Sequence, residues 1–113
     1  MNFILSEMTF LRYYMPLIIE GNYRGVKSKM YVGKNNKYNN PHIFLDHLER
    51  LSKKHNFEIL DIQDADKCTG IVFLIEGVGC DRLDRSKTTT VSMTYMTDYS
   101  GLYDSYVDKV DHI

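Results

Sequence analysis

Ile71 to Ile75, read as IVFLI, is apolar at every position, and it constrains the fold more than any other stretch. A strand with one face in water alternates apolar and polar side chains. A run without alternation belongs to a strand covered on both faces, as strands of parallel sheets are. Phe3-Ile4-Leu5 is a shorter run of the same kind. Three further extended segments are expected at Lys27 to Val32, Phe57 to Ile62 and Thr88 to Met96, the last alternating Val91, Met93 and Tyr95 against Ser92 and Thr94.

Helical patterns separate these runs. Thr9 is placed to cap a helix over Phe10 to Glu20, in which Phe10, Tyr14, Leu17 and Ile18 recur at helical spacing. Pro16 inside it predicts a kink or a late start, and Gly21 and Gly25 are expected to end it. Asn40-Pro41 is a start signal for a second helix, with Phe44, Leu48 and Leu51 on one face. Asp64 to Gly70 is expected to hold a turn or a single helical turn. A last helical segment follows Tyr99, and Asp111-His112-Ile113 reads as the first residues of another strand. Strands alternating with helices at this spacing predict one α/β domain over residues 1–113, a Rossmann-like parallel sheet of about five strands flanked by helices.

Composition narrows the function classes. A net charge of -1 gives no global attraction to nucleic acid or to an anionic membrane. No run approaches the roughly 18 apolar residues that span a bilayer, and the N-terminus lacks the basic leader of a signal peptide, so the chain is expected to be cytoplasmic. Cys68 and Cys80 form neither a disulfide framework nor a CxxC pair, and the four histidines lack metal-site spacing, so no metal is expected. Lys27, Lys29, Lys34 and Lys37, interleaved with Tyr31 and Tyr38, read as a solvated strand face and not as a nucleic-acid surface. Gly21 to Ser28 imitates a phosphate-binding loop, but Val26 stands where glycine is needed and the segment runs from helix to strand, the wrong order. No GxGxxG follows the first strand, so no dinucleotide cofactor is expected.

In a parallel sheet of this type, ligands bind beyond the carboxyl ends of the strands. Two loops there carry chemistry. In Glu76-Gly77-Val78-Gly79, the glycines let backbone approach a ligand while Glu76 accepts hydrogen bonds from its hydroxyls; the plain structural role is a tight turn. In Thr97-Asp98-Tyr99, Asp98 is placed either to take a proton from a hydroxyl as a general base or to cap the following helix.

The run from the short first strand through Leu11-Arg12-Tyr13-Tyr14-Met15-Pro16-Leu17-Ile18 to Arg24-Gly25-Val26 resembles the opening of GT-B-type glycosyltransferases. Ile75 to Gly79, Thr94 to Asp98 and Tyr106 to Ile113 resemble later parts of the same N-terminal half, an architecture shared with CDP-glycerol glycerophosphotransferase-like enzymes. Ser6-Glu7-Met8-Thr9 stands where many sugar-nucleotide transferases have a glycine-rich loop, and the "PS"-type turn after the last strand is lacking. The resemblance implies an acceptor-side domain, the N-terminal half of a two-domain enzyme. Its partner domain would hold a nucleotide sugar as donor substrate, without a further cofactor. Asp98 would then be the catalytic base, with Glu76, Gly77, Gly79, Thr97 and Tyr99 forming the acceptor pocket, and the chain alone would be catalytically incomplete. The competing expectations are a free-standing α/β ligand-binding or protein-interaction module that uses the same loops without catalysis, and an assembly protein whose sheet edge another chain covers.

Overall fold

A computed structural model describes residues 1–33, 43–93 and 107–113. Its strands are β1 (Asn2–Ile4), β2 (Lys29–Val32), β3 (Glu58–Asp61), β4 (Gly70–Ile75) and β5 (Thr88–Met93). They form a single sheet in the order β3-β2-β1-β4-β5, and every ladder between them is parallel. The chain steps from β1 to β2 to β3 in one direction, then returns past β1 to place β4 on its other side. The fold class expected from the sequence, a Rossmann-like parallel sheet flanked by helices, is the fold observed.

The uninterrupted apolar runs are explained by two cores, one on each face. Phe3, Leu5, Met30, Val32 and Ile75 point to the face carrying α1 (Leu11–Tyr23) and α2 (Leu45–His55), where they meet Tyr14, Ile18 and Leu48. Ile4, Tyr31, Val72 and Leu74 point the other way, against Ala65, Cys68, Cys80, Leu83 and Val110. That second face is covered by 3-10 turns at Ile62–Lys67 and Cys80–Arg82 and by Val110. Burying each of these larger side chains contributes roughly 1.5–3 kcal/mol before the entropy of ordering it is counted. Ile71, at the amino end of β4, is 48% exposed, so the double coverage begins one residue later than the sequence suggests.

Helix ends depart most from expectation. Thr9 lies in a 3-10 turn (Met8–Phe10) and bonds the Glu7 carboxylate, while α1 starts at Leu11 with no side-chain cap. Pro16 sits within α1, and the helix runs through it. Gly21 is buried inside the helix and does not end it; α1 continues to Tyr23. Gly25 provides the stop. With φ +74 it lets Val26 N–H reach the Gly21 carbonyl (2.8 Å) and its own N–H reach Asn22 (3.2 Å), a Schellman closure. The imitation phosphate loop is therefore a helix cap. Asn40 and Pro41 lie outside the described residues, and α2 begins at Leu45 after Phe44, which is 62% exposed and not part of the buried face with Leu48.

The C-terminal residues meet the free edge of β5. His112 forms a parallel bridge with Val91, donating to the Thr90 carbonyl (2.9 Å) and accepting from Ser92 N–H (2.8 Å). Asp111 accepts from both the backbone N–H and the hydroxyl of Thr90. The strand onset expected at Asp111-His112-Ile113 thus lies in the sixth position of the sheet, as one bridge. Among the described residues no helix is long and apolar enough to cross a membrane.

Candidate functional site

Strand order reverses between β1 and β4, and there the two strands separate. Their ladder ends at Phe3 with Phe73, whereas β1 continues beside β2 to Ile4 with Tyr31 and β4 beside β5 to Ile75 with Met93. A sheet of this topology accepts ligands beyond the carboxyl ends at this reversal point, which makes the crevice expected there the candidate site. Its floor is Tyr14, fully buried, whose hydroxyl donates to the Ile4 carbonyl at 2.9 Å with the Phe73 carbonyl at 3.4 Å. The phenol thereby satisfies the carbonyl of Ile4, which lies beyond the last paired residue of the β1–β4 ladder. Its burial pushes the Tyr14 pKa far above the ordinary tyrosine range, so it stays a neutral donor.

The loop after β4 forms one wall. Glu76 has φ +52, the left-handed conformation that a side chain with a Cβ adopts at a cost of roughly 1–2 kcal/mol. It is only 8% exposed. Two bonds to β5 hold the backbone there. Glu76 N–H donates to the Met93 carbonyl (3.0 Å), continuing the ladder by one residue; Gly77 N–H donates to the Ser92 hydroxyl oxygen (2.9 Å) as the chain leaves the sheet. Val78 N–H then closes onto Ile75 and Cys80 N–H onto Gly77. Gly79, at φ +91, packs on β1 so closely that a Cβ would stand 2.9 Å from the Ile4 Cγ2. Glycine at 79 is therefore what allows the β4 loop to sit against the end of β1.

Of the residues singled out in the sequence, Glu76, Gly77 and Gly79 lie in the turn that leaves β4. Thr97, Asp98 and Tyr99 lie outside the described residues. Ser92 and Tyr14 were not singled out. Ser92 read as the polar side of an alternating strand and Tyr14 as one apolar helix position, and only the paired partners, distant in sequence, reveal either role. On β5 the hydroxyl-bearing face is the more buried one: Thr88, Thr90 and Ser92 are almost wholly covered, while Val91 and Met93 are partly exposed.

The remaining chemistry-bearing residues lie elsewhere or are disarmed. Both cysteines are free and buried, and desolvation raises both thiols, the opposite of what a nucleophilic cysteine requires. Asp64 bonds the exposed Lys67, and among the described residues no group of three or more metal-ligating side chains converges. The end of β4 thus carries a buried glutamate on a turn fixed by two bonds to β5 and packed against the end of β1. No family model matches the chain, and neither a curated protein nor a solved structure matches it.

Proposed function

We propose that this chain is the acceptor-side domain of a GT-B-like glycosyltransferase, with the crevice between β1 and β4 receiving the acceptor hydroxyl. The observation that carries the reading is Glu76, a buried carboxylate in a left-handed backbone conformation at the point where strand order reverses. A turn needs no such residue; glycine or asparagine would make it without the conformational cost. Backbone strain of this kind clusters at sites that use it. The order of elements from β1 to β5 and the Arg24-Gly25-Val26 turn support the same family.

In this reading Glu76 accepts hydrogen bonds from the acceptor and orients it. The attacking acceptor oxygen forms a bond to the anomeric carbon of a nucleotide sugar held by a second domain. The bond from that carbon to the diphosphate breaks, the nucleoside diphosphate leaves, and the acceptor proton passes to Asp98. Thr97 and Tyr99 complete the acceptor pocket.

Amide chemical shifts of the 113-residue chain provide the test. Neutral glycosides and polyols, methyl α-D-glucopyranoside and glycerol among them, should move the amides of Glu76, Gly77 and Gly79 at millimolar concentration. UDP-glucose should move them less, since this domain holds the acceptor. A tighter response to UDP-glucose than to any glycoside, or no response to either, would overturn the assignment.

A further inference from the structure

We infer that Ser92 is the positioning residue of the acceptor site, setting the pose of Glu76 through the N–H of Gly77; this rests on the function proposed above. Alternate residues of β4, Gly70 and Glu76 among them, donate to β5, so in a continued ladder the Gly77 N–H would face away from β5, toward β1. Here the chain turns away after Ile75, and a side chain of β5 takes up that N–H: the Ser92 oxygen accepts it at 2.9 Å, with Ser92 itself 1% exposed. The peptide it fixes is the one joining Glu76 to Gly77, both in left-handed conformations. Without that acceptor the buried N–H of Gly77 has nothing to hold it, and the turn relaxes toward conformations in which Glu76 no longer points as it does. Hydroxyl face residues elsewhere on β5 serve other ends. Thr88 donates to the Asp84 carbonyl (2.9 Å) and Thr90 bonds Asp111, so only Ser92 reaches the site.

The experiment compares Ser92→Ala, Ser92→Cys and Thr88→Ala in the whole chain, reading amide exchange at Gly77 and the affinity for methyl α-D-glucopyranoside. Losing a buried hydrogen bond should speed Gly77 exchange about tenfold in Ser92→Ala and weaken the glycoside by a similar factor. Ser92→Cys, nearly equal in volume but a weak acceptor, should fall between, and it keeps the comparison informative if the alanine variant folds poorly. Thr88→Ala, a buried hydroxyl lost at the far end of the same strand, should lower stability and leave both readouts at their wild-type values. Faster Gly77 exchange with unchanged glycoside affinity would overturn the role of Ser92 while leaving the acceptor site standing. Equal effects from Thr88→Ala would reduce Ser92 to a stability residue. If the wild-type chain binds no glycoside, the acceptor reading fails, and the positioning role falls with it.

Discussion

Replacing Gly79 by alanine tests the central geometric claim, that the β4 loop rests directly on the end of β1. Two penalties combine. At φ +91 the alanine backbone is in left-handed space, at a cost of about 1–2 kcal/mol. The new methyl would also stand 2.9 Å from Ile4 Cγ2 and 3.1 Å from its Cδ1. Ile4 is 4% exposed and packed among Tyr31, Val72 and Leu74, so it yields only by leaving its rotamer or moving the strand, which costs about 1–3 kcal/mol. The expected loss is about 2–5 kcal/mol, a large share of the roughly 5–15 kcal/mol that stabilises a domain of this size. At about 4 °C per kcal/mol, Tm falls by roughly 8–20 °C. Gly25→Ala is the control, because it has φ +74 but nothing within 4 Å of the added Cβ. It should lose only the backbone part, about 4–8 °C. Thermal unfolding followed by circular dichroism, with urea midpoints for the same variants, separates the two. In an Ile4→Ala background, where both clashing atoms are gone, Gly79→Ala should cost no more than Gly25→Ala. Equal losses at 79 and 25 in the wild-type background, or an undiminished loss at 79 beside Ile4→Ala, would refute the contact.

Tyr14→Phe removes the donor beneath the crevice and leaves the Ile4 carbonyl buried without its partner, so stability should fall by about 1–3 kcal/mol in urea titrations; a change within about 0.3 kcal/mol would mean that water takes the hydroxyl's place. Asp111 gives a pH signature. Hydrogen bonds from Thr90 hold its carboxyl below the ordinary value of 3.8, so in acid the unfolded chain binds its proton first. The stabilisation is therefore complete above that value and is lost as pH falls through the lower folded one. The Thr90 amide shift should follow this titration and become flat in Asp111→Asn; a Thr90 amide that ignores acid in the wild type would count against the bond.

How much of this was legible depended on how far each residue's partner lay along the chain. Strand positions could be read because an apolar run such as IVFLI carries its own evidence of coverage, whichever elements supply it. The turn after β4 could be placed because glycines following an apolar run mark where a strand ends. Helix ends could not: Thr9 looks like a cap, but the 3-10 turn before α1 engages it with Glu7 instead. Gly21 looks like a terminator, yet its lack of a side chain suits a buried helix position facing Met1. Buried Thr88, Thr90 and Ser92 violate the expectation that hydroxyls face water, because Asp84, Asp111 and Gly77 satisfy them from other elements. Pattern reading has no access to such pairs. The strain at Glu76 was likewise invisible, since φ is set by the two bonds to β5 and not by the residue itself.

The all-parallel sheet has a consequence for how the chain assembles. No ladder in it can close as a hairpin; each must wait for a crossover, and Phe3 must wait for Phe73. Contacts this remote make folding slow for the domain's size, paced by loop closure and not by local propensity. We therefore expect β1, α1 and β2 to gain protection first, leaving the side of β1 that β4 will occupy as an open, adhesive edge in the interval. Pulse-labelled exchange during refolding would register this as Tyr31 and Met30 amides protected ahead of Val72 and Phe73; simultaneous protection would mean that the two halves of the sheet condense together.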